Sequence, residues 1–130
     1  MPAQYLIDPE NHVVRTTFSG VVTRRDVADY AARLRDDPAF SPRFFELITF
    51  EANPDIQLSY LDWRSLTDRD PFSDGSKRAF VARAGSALYG MIRMFQSARS
   101  DPYNIRVFET TDEAILWLST PLGFAQAEGG

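Results

Sequence analysis

Between residues 13 and 18 the chain reads VVRTTF, and its positions alternate. Val14, Thr16 and Phe18 fall on one side, and Val13, Arg15 and Thr17 on the other. A period of two marks a half-buried strand, which Gly20 ends. Upstream, QYLI at 4–7 is a second short apolar run, and DPEN between them sets Pro9 at the second position of a β-turn. Together these segments predict an opening antiparallel hairpin.

The period then changes. In TRRDVADYAARLRDD, Val27, Tyr30, Ala31 and Leu34 recur at the spacing of one helical face. Thr23 is a good N-cap, Asp26 lies in the first turn where the helix dipole favours it, and Pro38 and Pro42 close the segment. FFELITF at 44–50 is apolar on both alternating faces, the signature of an interior strand. EANPDIQ reads as a loop. SYLDWRSLTDR reads as a short helix, with Ser59 and Asp62 at capping-box spacing and Leu58 and Trp63 at hydrophobic-staple positions. KRAFVAR at 77–83 predicts another strand, SALYGMIRMFQSA at 86–98 a helix, and NIRVFE the last strand. In TTDEAILWL, Thr110 and Glu113 again have capping-box spacing. Ala114, Ile115, Trp117 and Leu118 share an inward arc of roughly 160° at ~100° per residue, and Leu116 falls outside it.

The expected order is β-β-α-β-α-β-α-β-α. Strands alternating with helices after residue 44 imply parallel pairing through right-handed crossovers, and the first hairpin makes the sheet mixed. The expectation is an α/β fold with a single mixed sheet and helices packed on it. Residues 1–122 form one domain in this reading, and 123–130 a flexible tail.

Composition narrows the function classes. The chain has 130 residues, enough for one real core, and no cysteine. Disulfides, thiolate nucleophiles and zinc–cysteine sites are thereby excluded, and a reducing cytoplasmic setting is expected. A net charge of −4 disfavours nucleic acid as a partner. MPAQYLIDPENHVV lacks the basic and apolar regions of a secretory signal, and no window approaches the roughly 18 apolar residues of a membrane span.

Candidate chemistry is sparse. His12 is the only histidine and no G-x-S-x-G elbow occurs, so neither a triad nor a two-histidine metal site is expected. Asp8, Glu46, Glu51, Asp55 and Asp62 lack metal-ligand spacing and read as solvated or locally bonded acids. DGSK at 74–77 lacks the spacing of a phosphate loop and precedes a strand, so it reads as a turn. Arg78, Arg83, Arg93, Arg99 and Arg106 read as a solvated set. Ser59 is chiefly a helix cap, with phosphorylation as its functional alternative. On helix 86–98, Met91, Ile92 and Phe95 cluster within ~60° of Leu88, whereas Tyr89 lies at ~100° and Met94 at about −120°. Tyr89 and Met94 are therefore the candidates for a ligand or interface contact. No catalytic residue, metal or cofactor is expected.

The element order and the closing segment, with Arg106-Val107-Phe108, Asp112-Glu113-Ala114 and Trp117-Leu118, resemble the SpoIIAA-like, STAS-type family in its uncharacterised branch. The resemblance spans residues 4–120 and implies a mixed sheet flanked by helices and a non-enzymatic role. In the family's regulatory branch a serine at the start of the helix after the third strand is phosphorylated, which controls binding to an anti-sigma partner. Ser59 is its counterpart, with Leu58 and Tyr60 in place of the flanking Asp and Ser or Gly. The expected function is a non-enzymatic cytoplasmic domain that binds a protein partner, a second copy of itself, or a small apolar ligand. A partner-switching regulator controlled at Ser59 is the alternative, and an enzyme of unrecognised class comes third.

Overall fold

The computed structural model of the chain describes residues 3–51, 54–73, 75–83, 85–97 and 104–120. The opening hairpin joins β1 (Ala3–Asp8) to β2 (Val13–Phe18), with Ala3 opposite Phe18 and Asp8 opposite Val13. Its turn is held by Asn11, whose side-chain Nδ2 donates to Asp8 Oδ2 at 2.7 Å and whose backbone N–H donates to Asp8 Oδ1 at 3.2 Å. These bonds hold the Asp8 carboxyl below its ordinary pKa. His12 closes the turn in the left-handed region, at φ 58°, and its ring stacks on Phe44 at 5.4 Å.

After the short strand β3 (Val21–Thr23), Thr23 starts helix α1 (Arg24–Arg35) with a full capping box. The Asp26 N–H donates to the Thr23 hydroxyl, and the Thr23 N–H to the Asp26 carboxylate at 2.8 Å. Strand β4 (Phe45–Phe50), strand β5 (Asp55–Gln57), helix α2 (Tyr60–Thr67), strand β6 (Arg78–Val81), helix α3 (Ala87–Ser97), strand β7 (Ile105–Phe108) and helix α4 (Thr111–Ser119) follow.

Five strands form one sheet in the order β1-β2-β4-β6-β7, with β1 antiparallel to β2 and the other pairs parallel. Strand β4 lies between β2 and β6, and both of its faces are covered. Each crossover moves one strand outward in the same direction, and right-handed crossovers then place α1, α2 and α3 on one face. Val14, Phe18, Ile48, Phe80 and Ile105 meet those helices in the main core. On the opposite face, Leu47 and Ala79 pack against Ala114 and Leu118 of α4. The alternation of β4 is thus split: Glu46 and Ile48 point to the three helices, Phe45 and Leu47 to α4.

The single mixed sheet expected from the pattern is incorrect. Strands β3 and β5 form a separate two-stranded parallel sheet, Val21 opposite Asp55 and Thr23 opposite Gln57. The order is therefore β-β-β-α-β-β-α-β-α-β-α, and residues 55–57 are strand where a loop was expected. Three residues show less than two periods of alternation, too little to register as a strand. Their pairing follows from β2 and β4, which run parallel and carry on past their ends. The Glu51 N–H donates to the Phe18 carbonyl at 2.9 Å and the Asp55 N–H to the Gly20 carbonyl at 2.8 Å. Gly20, at φ 64°, bends the chain between the two ladders.

A second difference concerns α4. Ile115, expected to face inward, is 39% exposed, while Ala114 and Leu118 are buried. Among the described residues α4 is the one helix on its face, so only the centre of its apolar arc is covered and the flank at Ile115 is not. The tail at 123–130 lies outside the described residues.

Candidate functional site

The three helices do not close completely on the sheet. Between them lies an apolar cavity of about 80 Å³, several times the roughly 10–15 Å³ that one water requires. Helix α1 contributes Val27 and Tyr30, α2 Trp63 and Leu66, and α3 Leu88, Met91, Ile92 and Phe95. Its most regular feature is an unbroken arc of aromatic rings. Tyr30 meets Phe18 edge-on at 5.7 Å, Phe18 stacks near Phe50 at 5.9 Å, and Phe50 near Phe80 at 6.5 Å. Phe80 then meets Phe95 at 5.9 Å, and Phe95 meets Trp63 at 5.0 Å.

A buried ion cluster stands in the wall of this cavity. The parallel register of β4 and β6 sets Glu46 beside Arg78 on the same face. Arg78 Nε donates to Glu46 Oε1 at 2.7 Å, and its Nη1 to Asp70 Oδ2 at 2.6 Å. The guanidinium also lies over the Phe72 ring at 4.4 Å and the Phe95 ring at 5.6 Å. Tyr30 reaches down from α1 and donates its hydroxyl proton to Glu46 Oε2 at 2.5 Å. With that proton engaged, the 2.6 Å contact between Tyr30 and Thr16 requires the Thr16 hydroxyl to donate. Glu46 is 2% exposed and Arg78 6%.

The electrostatics follow from burial. Desolvation works against the charged guanidinium of Arg78, but Glu46 and Asp70 outweigh it and raise its pKa further above the usual arginine value. Burial, reinforced by the Glu46 carboxylate, pushes the Tyr30 phenol well above its ordinary value, so it stays a neutral donor. The buried Nε1 of Trp63, a lining residue, has no hydrogen-bond partner among the described residues.

An open groove adjoins the cavity at the carboxyl ends of β4 and β6. Phe50 and Leu88 line both spaces and separate them. Glu51, Arg83 and Glu109 supply the charged lining of the groove.

The residues singled out from the sequence are scattered. Ser59 is exposed and caps α2: the Asp62 N–H donates to its hydroxyl at 3.1 Å, and its own N–H donates to Asp62 Oδ2 at 2.9 Å. Arg24 Nε lies 3.7 Å from Asp62 Oδ1. Tyr89 and Met94 are half-buried on α3 and do not line the cavity; the inward residues Leu88, Met91, Ile92 and Phe95 do. Of the arginines, Arg78 stands in the cavity wall, while Arg106 lies over the Trp117 ring at 5.5 Å on the α4 side. Arg99 lies outside the described residues.

Three residues were misread in the sequence: Glu46, Lys77 and Arg78, which was read as solvated and is buried against two carboxylates. Glu46 is not a solvated acid but the centre of the cluster. The available signal was its place in an apolar strand on the same face as Ile48. Lys77, read as part of a turn, is buried, and its Nζ donates to the Trp117 and Thr120 carbonyls at 2.8 Å each. It thus closes the C-terminal end of α4. Burial, then the nearby Arg106 charge, hold its ammonium pKa below the usual lysine value.

Chemically, the arrangement suits holding a ligand. Among the described residues, no group of three or more His, Cys, Asp or Glu is placed to hold a metal, and no helix is long and apolar enough to cross a membrane. Compared with protein-family models, curated proteins and solved structures, the chain matches none.

Proposed function

We propose that this protein is a non-enzymatic, cytoplasmic binding domain that holds a small, largely apolar ligand between its sheet and helices α1–α3. The observation that carries this reading is the aromatic-walled cavity over a fully bonded polar cluster. Concave apolar sites with a few converging polar groups are the usual form of a small-molecule site. The unpartnered Nε1 of Trp63 adds a donor that a bound acceptor would satisfy. The resemblance of Arg106–Leu118 to the closing strand and helix of SpoIIAA-like, STAS-type proteins supports a binding role over catalysis. Native mass spectrometry of the purified protein tests the proposal. A retained mass absent from the denatured spectrum, and lost in a cavity-filling Leu88→Trp variant, is the expected result. A clean apo mass, with no stabilisation of the protein by any member of a small apolar and aromatic compound set, refutes it.

A second reading keeps Ser59 as a phosphorylation switch for a protein partner. It is favoured by the exposure of the serine at a helix start and by Arg24 beside Asp62, where a new phosphate would find a cation. Under this reading Ser59→Asp changes partner binding without changing stability; unchanged binding removes it.

A further inference from the structure

One face of the sheet is only half covered. Helix α4 packs on Leu47 of β4 and Ala79 of β6, and its Trp117 leans toward the β7 edge, 5.6 Å from the Phe108 ring. A helix with its side chains is about 10 Å across and neighbouring strands lie about 4.8 Å apart, so one helix covers about two strands. Among the described residues no second helix stands beside α4, and β1 and β2 turn Leu6 and Arg15 into the open. Leu6 is 68% exposed. The helix carries apolar groups that match this bare half. Ile115 lies about 160° round α4 from Trp117, at ~100° per residue, and so faces the β2 side. Leu116 points away from the sheet and is 72% exposed.

The register sets these groups at one level. Leu6 pairs with Arg15, Arg15 with Leu47, Leu47 with Ala79 and Ala79 with Arg106, a single row across the sheet. Ala114 and Leu118 pack on Leu47 and Ala79 of that row, and Leu116 lies midway between them along the helix. The charges on the two halves are opposite. Helix α4 has two acids in its first turn and no base in its last. Asp112 stands one turn before Leu116 on the outer face and is exposed, as is Arg15 on the bare half. Neither has an ion-pair partner among the described residues. Asp8, the acid on the bare half, is taken up by Asn11 at the hairpin turn.

We propose that this face is the interface of a two-fold symmetric dimer, in which the α4 of each copy covers the β1–β2 half of the other. The axis runs parallel to the helices, between the two Ile115 flanks. Both helices then form one layer between two sheets. Leu116 of each copy seats on Leu6 of the other, and Asp112 of each reaches Arg15 of the other. Each copy supplies a helix and a bare half, which is the self-complementarity that a two-fold interface requires. The patch is small, so the dimer is reversible, with a Kd of about 1–100 μM. The interface lies on the sheet face opposite the cavity and does not depend on it.

Sedimentation velocity of the whole chain, from about 1 μM to about 1 mM, tests this and should show a monomer–dimer equilibrium. Leu116→Asp and Leu6→Asp each change an exposed side chain, so the circular dichroism spectrum should be kept while the dimer disappears. Arg15→Glu alone, or Asp112→Arg alone, sets like charges together and should weaken dimerisation at least about tenfold. The two combined restore opposite charges and should bring most of the association back. A chain that stays monomeric throughout overturns the proposal. Should removal of residues 121–130 then produce the dimer, the chain's own end is the occupant of the face. A dimer that survives Leu116→Asp, or charge reversals that do not compensate, overturns the proposal too, since the copies then meet elsewhere.

Discussion

Replacing Arg78 with methionine tests the electrostatic centre of the fold. The substitution keeps an unbranched apolar stem against Phe72 and Phe95 and removes the guanidinium. Glu46 then retains its bond from Tyr30, and Asp70 its bond from the Phe72 N–H, but both lose the ion pair with Arg78. Removing one partner of a buried ion pair costs about 3–5 kcal/mol. Arg78 serves two carboxylates, both nearly inaccessible to water, so the upper part of that range applies, about 4–5 kcal/mol. For a chain of 130 residues, total stability is on the order of 6–20 kcal/mol. The variant should therefore fold, with its Tm lowered by roughly 15–20 °C. Urea denaturation followed by circular dichroism at neutral pH measures the loss. The triple variant Arg78→Met, Glu46→Gln, Asp70→Asn removes all three charges and should recover at least half of it. Buried carboxylates that have lost an ion pair bind protons more readily in the folded than in the unfolded chain. The single variant should therefore close part of its gap to the wild type as pH falls from about 7 to about 5. A loss below about 1 kcal/mol, or a triple variant no more stable than the single one, would refute the reasoning, since packing rather than charge would then explain the site.

Two further outcomes are expected. Ser59→Ala should destabilise the protein by ~1 kcal/mol, because the Asp62 N–H loses its acceptor, while Ser59→Asp, which can also cap, should cost much less. An unchanged melting temperature for Ser59→Ala, together with loss of a binding interaction in Ser59→Asp, would show that capping is not its role. Tyr30 gives a pH signature. Its folded pKa is raised well above 10.0, so the stability that it contributes is complete below that unfolded value and is lost as pH rises past it. Between about pH 9.5 and about pH 11.5 the wild type should lose stability more steeply than Tyr30→Phe. Parallel slopes in the two proteins would contradict the burial of a neutral phenol.

The sequence by itself determined the features made by neighbours along the chain. The period of two in VVRTTF, the inward face of α1, the N-cap at Thr23 and the capping box at Ser59–Asp62 all rest on residues no more than four positions apart from one to the next. The two-sided apolar character of FFELITF also announced an interior strand, since covered faces leave no polar alternation. Tertiary structure decided the rest. Strands β3 and β5 are strands because the parallel pair β2–β4 delivers them side by side, and three residues carry too little pattern to say so alone. Ile115 is exposed because no second helix flanks α4 among the described residues. Glu46 meets Arg78, 32 positions along the chain, and Tyr30, 16 positions away. Its place in an apolar strand hints at burial, but nothing in the local sequence names these partners. The cavity is the furthest from the sequence, because it is the space left where three helices and a sheet fail to interdigitate. Such a space depends on how separate elements are set against one another, and the local interactions that a sequence pattern records do not contain that information.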